Sequence, residues 1–211
     1  MSLKTNKQLK KRILEISYKQ NLSHISSCLT AVDIIAEIYA QKHTDAKFVL
    51  SAGHAHLAHL VVMEHYGLVN AEEMLMSKGI HCDRVAGCDV STGSLGMGLP
   101  IAVGMALADR SRYVYCLVSD GELSEGSIWE ALRIMKEQNL RNLHLYINFN
   151  GWAAYKKTDY AYIKSLLMQH TGLNINLILT DVSEIEFLRG QKGHYVTMSH
   201  EQYERLQETL K

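Results

Sequence analysis

The stretch LVSDGELSEGSIWEALRIMKEQNLRNLHLYINFNGW, Leu117 to Trp152, decides how this chain is read. It leaves one short apolar run, residues 113–118, and ends beyond another, residues 143–149. Between them Ile128, Leu132 and Met135 recur at helical spacing. Strand, helix, strand is the unit that joins two parallel neighbours by a crossover. Parallel strands end at the same rim of a sheet, and ligands sit outside that rim. Asp120 follows the first strand and Asn150 the second, so the acid-rich turn Asp120, Gly121, Glu122, Glu125 and the asparagine turn are expected side by side.

Working outward, the same alternation extends over the chain. Residues 5–20 read as an amphipathic helix. SCLTAVDIIAEIYAQ reads as a second, with Val32, Ile35 and Tyr39 near helical spacing. AKFVLSAGHA holds a short strand at 48–50 before a glycine turn. HLAHLVVMEHYG is a helix stopped by Gly67, and NAEEMLMSKG a short one that Asn70 can cap. After a turn-rich stretch, LPIAVGMALADR opens a helix with Pro100 in its first turn, where no amide partner is lost. INLILTDV gives a further strand and SHEQYERLQETLK a last helix. The expected fold is a single domain over residues 1–211. Its class is α/β: a three-layer, doubly wound, mostly parallel sheet with helices on both faces.

Composition narrows the function. The chain has 22 basic and 22 acidic residues and no net charge, with no basic block, which argues against nucleic acid as a partner. No apolar run reaches membrane-spanning length, and the charged start lacks the apolar segment of a secretory signal, so a cytoplasmic location is expected. The cysteines Cys28, Cys82, Cys88 and Cys116 are too few for a disulfide framework. HCDRVAGC groups His81, Cys82 and Cys88, but its spacing does not fit a common zinc site and no second pair follows. Reduced thiols in or near a core are the expectation.

A carboxylate, an amide oxygen and a turn carbonyl at one rim are the hard oxygen donors preferred by Mg2+ or Ca2+. Gly121 admits close backbone approach, and the helix beyond offers amides to an anion. The turns therefore describe a seat for a divalent cation and a diphosphate. They also describe an ordinary helix cap followed by an ordinary turn, and the residues alone leave both readings open.

Further motifs favour the first reading. SDG with the later Asn150 resembles the thiamine diphosphate motif, which runs from Gly-Asp-Gly to Asn. DGELSEGSIWEAL and STGSLGMGLPIAVGMALA resemble the N-terminal, diphosphate-binding half of transketolase. So do SHISSCLTAVDII, VLSAGHAHLAHL and FLRGQKGHY, each in family order. The resemblance implies thiamine diphosphate and Mg2+ (or Ca2+) as cofactors. Asp120, Asn150 and the carbonyl of Trp152 become metal ligands, and Gly121 an amide donor to the diphosphate. Glu122 stands nearby, as cofactor neighbour or as cap. Gly93, Ser94 and Leu95 pass the cofactor's middle or its pyrimidine ring. Glu125 corresponds to a glutamate at the subunit interface. His24, His54, His81 and, less directly, His194 correspond to histidines on the substrate side, with His54 also near the diphosphate. Imidazoles can donate to a ketose oxygen, accept from it, and move protons near neutral pH. His56 and His59 have no motif of their own.

The sequence departs from the family as well. SHISS lacks the Gly and Pro expected around His24, Ser119 replaces a glycine, and the segment 81–91 is shorter. The resemblance also implies a pyrimidine-binding domain, for which 211 residues leave no room. The expected protein is thus the N-terminal subunit of a split transketolase-like enzyme acting on small sugars. A separate polypeptide would carry the pyrimidine domain, in an α2β2 assembly. Two alternatives stand beside it. One is thiamine diphosphate-dependent decarboxylation of a 2-oxo acid with acyl transfer to a sugar. The other is a non-catalytic regulatory subunit, which would be expected to have lost Asp120 or Asn150.

Overall fold

The computed structural model describes residues 6–84 and 87–210. The helices are α1 (Lys7–Lys19), α2 (Ile25–Gln41), α3 (His56–His65), α4 (Ala71–Lys78), α5 (Gly98–Ala108), α6 (Gly126–Glu137), α7 (Tyr160–Leu167) and α8 (His200–Thr209). The strands are β1 (Lys47–Leu50), β2 (Val114–Ser119), β3 (Leu143–Phe149) and β4 (Asn174–Leu179). They form one sheet in the order β1-β2-β3-β4, and every pair is parallel.

Period-two alternation divides the core into two layers, because successive strand side chains leave opposite faces. Val49, Val114, Cys116, Val118, Leu145 and Ile147 pack with α5, α6 and α7. Phe48, Leu50, Tyr115, Leu117 and Tyr146 pack with α1, α2, α3, α4 and α8. Both faces are therefore covered, as expected. The strand order runs without reversal, so the second face is covered largely by N-terminal helices rather than by crossovers wound the other way. No helix among the described residues is long and apolar enough to cross a membrane.

Two helix starts differ from the apolar pattern, and in each a residue in the left-handed region precedes the helix. The first helix begins at Lys7 after Asn6 in the left-handed region; Thr5, its expected start, lies outside the described residues, as does Lys211. α2 starts at Ile25, earlier than the apolar pattern indicated, behind His24 at φ 59°. Asn70 caps α4 by accepting from the Glu73 amide at 3.0 Å. Ser199 and Gln202 close a reciprocal cap on α8. α7 was not among the expected elements; Asp159 caps it and Ile163 and Leu167 bury into the α5–α6 layer.

Candidate active site

The register puts the key turns together. Ser119 is level with Asn148 across β2 and β3, so the next residues on each strand leave the sheet at the same height. Asp120 is fully buried there. One carboxylate oxygen accepts from the Asn150 amide at 3.3 Å, the other from the Gly151 amide at 3.0 Å. The Thr158 hydroxyl donates to that second oxygen as well. Asn150 turns its own side-chain oxygen to the Trp152 amide at 3.0 Å. Burial lifts the Asp120 carboxyl above its usual range, and the Thr158 hydroxyl and the two amides pull it back. All these donors are neutral, so a buried carboxylate sits at the rim with hydrogen bonds but without a countercharge among them.

Gly121 lies against the segment after β3. A Cβ there would come 3.2 Å from Ala153 Cα and 3.5 Å from the Trp152 carbonyl oxygen. That carbonyl is thus brought beside the turn that bears Asp120. Carboxylate, amide oxygen and carbonyl form a donor set that suits a hard divalent cation, which would also supply the missing countercharge. The residues fit Mg2+ or Ca2+ on that ground.

Glu122 faces the other way. It is fully buried, takes Ser51 Oγ at 2.5 Å and the Gly96 amide at 3.0 Å on one oxygen, and takes the Ser119 amide at 2.9 Å on the other. It ties β1, the 92–98 loop and the β2 turn together from behind the cleft. That loop is laid closely on β1: Thr92 Oγ1 donates to the Leu50 carbonyl at 2.6 Å, and a Cβ on Gly53 would meet the Thr92 carbonyl oxygen at 2.7 Å. Gly93 and Leu95 line the cleft, whereas Ser94 is exposed and does not. Glu125 sits at the start of α6, half-buried, and its Cβ would lie 2.7 Å from a Cβ placed on Gly96.

The histidines gather on the opposite wall. The His24 ring lies 5.1 Å from His54 and 5.9 Å from Tyr195, centroid to centroid. The His24 amide donates to the His194 carbonyl at 2.9 Å, and His194 Nδ1 is 3.2 Å from Ser27 Oγ. His81 lies against Gly93, 3.5 Å from the position of its Cβ. Burial is the main cause that lowers His54 to about 3, and the neighbouring His24, His194 and His81 add to it. Burial likewise lowers His24 and His194. These three rings are therefore neutral near pH 7, each with one donor and one acceptor nitrogen.

Between the turns and the histidines lies a cleft of about 180 Å3. Of the residues singled out from sequence, His24, His54, Gly93, Leu95, Gly121, Asn150, Trp152 and His194 line it. Asp120 is fully buried and does not line it. Ser119, noted from sequence as standing in place of a glycine, lines the cleft too; sequence reasoning missed Ala153, Ala154 and Tyr195 in the lining, and Thr158 on Asp120. Thr158 follows a lysine-rich run that carries no motif, so no local signal marks it. The Trp152 indole packs on Gly190, which adopts φ 70°; a Cβ there would touch the ring at 3.4 Å.

Comparison with known proteins gives the family and the fold. The model of the transketolase thiamine diphosphate-binding domain matches residues 38–186. Transketolase-like protein 2 of Mus musculus is 38% identical over 149 residues, 60% of this chain and 24% of its own length. One of the subunits of the apulose-4-phosphate transketolase of Phocaeicola vulgatus is 34% identical over 162 residues, 67% of this chain and 58% of its own. The solved transketolase of Leishmania mexicana superposes with a TM-score of 0.67 at 18% identity, covering 85% of this chain and 36% of that one. At that identity the superposition carries the fold alone. The chain spans about a quarter of the length of the mammalian relatives it matches, 24% in each case.

Proposed function

The chain belongs to the transketolase family of thiamine diphosphate-binding domains, and on that premise we propose that it is the diphosphate-binding subunit of a split transketolase-like enzyme. The reaction is transfer of a two-carbon ketol unit from a ketose to an aldose. The observation that carries this reading is the buried Asp120 carboxylate, hydrogen-bonded to the Asn150 amide, next to a cleft that Asn150 and Gly121 line together with His24, His54 and His194.

In this reading Asp120, Asn150 and the Trp152 carbonyl hold Mg2+ (or Ca2+), and the Gly121 amide meets the diphosphate. Bound thiamine diphosphate supplies the carbanion chemistry that the side chains lack. The chain's own residues orient it and serve the sugar. His54, next to the diphosphate seat, and His24 and His194 beyond it are neutral. They can donate to a carbonyl oxygen of the sugar and accept a hydroxyl proton without a prior change of charge. His81, beside Gly93, is assigned to the sugar hydroxyls. Glu125, outside the cleft at the start of α6, is assigned to the contact between paired active sites. Gly93 and Leu95 flank the cofactor's middle. Ser94, exposed and not in the cleft lining, and Glu122, hydrogen-bonded within the fold, act through position.

A separate polypeptide with the pyrimidine-binding domain completes the site, in an α2β2 assembly in the cytoplasm. The Phocaeicola vulgatus relative is itself named as one subunit of a transketolase, which supports a division of this kind. Reconstitution tests the reading. Each chain alone should be inactive, and the mixture should transfer ketol units in a thiamine diphosphate- and Mg2+-dependent way. Asp120→Asn in the mixture should abolish cofactor binding in calorimetry. Full-rate transfer by this chain alone would overturn the split. Release of CO2 from a 2-oxo acid in place of ketol transfer would overturn the reaction, and no cofactor binding by the mixture would overturn both.

A further inference from the structure

A second polar cluster lies behind the cleft, between α3 and the loop that precedes Gly93. His56 and His59 are three residues apart on α3, on neighbouring positions of one face. Cys82 and Cys88 come from the loop. All four are buried, at 0%, 2%, 4% and 7% exposure. The ligand atoms of His56, Cys82 and Cys88 all lie within 4.8 Å of one another. Cys88 Sγ is 3.4 Å from His56 Nε2 and 3.6 Å from His59 Nδ1. A tetrahedron with ordinary Zn–S and Zn–N bonds has sulfur–nitrogen edges of about 3.6 Å.

We propose that His56, His59, Cys82 and Cys88 form a zinc site. Three of the four ligand atoms are already gathered, and a side-chain shift of His59 closes the fourth corner. Its other nitrogen is held by Tyr39 Oη at 2.7 Å. This is the outer contact that fixes a metal-bound imidazole in one tautomer and orientation. Two imidazoles and a second sulfur converge on Cys88, and such a gathering of thiol and imidazole donors suits Zn2+. Zn2+ binding would release the two thiol protons, and two thiolates would then balance the dication, leaving a neutral group suited to burial. His81 is not part of the cluster; it lies by Gly93. The metal would fasten the loop bearing His81 and Gly93 to the helix that follows His54.

The site is independent of the cofactor seat and can be tested apart from it. Untagged chain, purified under reducing conditions without chelator, should hold one zinc per chain by elemental analysis. Cobalt exchanged into the wild-type chain should give the intense visible bands of tetrahedral coordination and a thiolate charge-transfer band. Cys82→Ser and Cys88→Ser should lose the metal, His59→Ala should weaken it, and Asp120→Asn should keep it. The wild-type spectrum stands even if a variant fails to fold. Absence of zinc together with absence of cobalt bands overturns the proposal. So does loss of the metal in Asp120→Asn, or a Cys82–Cys88 disulfide in the freshly purified chain.

Discussion

His54 offers a pH test at the level of a single residue. An ordinary imidazole, as in the unfolded chain, titrates near 6.5, whereas burial lowers this one to about 3 in the fold. Between those values the unfolded state binds the extra proton. Stability is therefore full above about 6.5 and falls as the pH drops toward 3, by at most about 1.4 kcal/mol per unit for this group. His24 and His194, lowered by the same burial, act in the same sense. Urea denaturation from pH 7 to pH 4 should show the decline, and His54→Gln should make it shallower. An unchanged slope in that variant would mean that His54 is not buried as described.

Gly193 is a second point test. A Cβ there would sit 2.0 Å from the Leu188 carbonyl oxygen, a backbone atom that cannot swing aside. Gly193→Ala should lower stability by about 1–3 kcal/mol and displace His194. Thermal melts would check the first, and the histidine NMR signals the second. Residues of this kind show how far the sequence could be read. Asp120 and Asn150 were legible because clear strand and helix periodicities bracket their turns. Glu122 was ambiguous because Ser51 and Gly96, which occupy one of its oxygens, are brought to it by segments distant in sequence. The convergence of His56 and His59 with Cys88 is likewise long-range and has no local spacing signature.

At the scale of elements, α1 and α2 are joined by a buried ion pair. Lys10 Nζ lies 2.7 Å from Asp33 Oδ2, and both side chains are 2% exposed. Asn6 donates to the other Asp33 oxygen at 3.0 Å. Removing one partner strands a buried charge, whereas replacing both removes the desolvation penalty as well. Lys10→Met should therefore destabilise by about 3–5 kcal/mol, and adding Asp33→Leu should recover most of the loss. A double-mutant cycle in urea measures this; additive losses would refute the coupling. Amphipathic periodicity made α1 and α2 legible as helices. It did not indicate the pair, since Lys10 reads as a polar-face residue. α7 escaped notice because a polar, tyrosine-rich run precedes its two buried anchors, Ile163 and Leu167.

At the scale of the whole molecule, sheet class and the two-sided helix cover were legible from alternating patterns, whereas strand order was not, because pairing depends on which crossovers close. The unreversed order β1-β2-β3-β4 has a kinetic consequence. The links from β2 to β3 and from β3 to β4 are short and contain one α-helix each, while the link from β1 to β2 runs through α3, α4 and α5. Closing a longer loop has the larger entropic penalty, and local pairings form sooner. The β2–β4 half should therefore nucleate folding, and the N-terminal helices with β1 should dock onto it afterwards. Leu145→Ala, in that half, should slow refolding, whereas Leu29→Ala, in α2, should mainly speed unfolding. Stopped-flow chevrons with the opposite assignment would reject this order. Since the cleft takes Asn150 from the early half and His24 and His54 from the late one, ligand-binding competence would arise in the last act of folding.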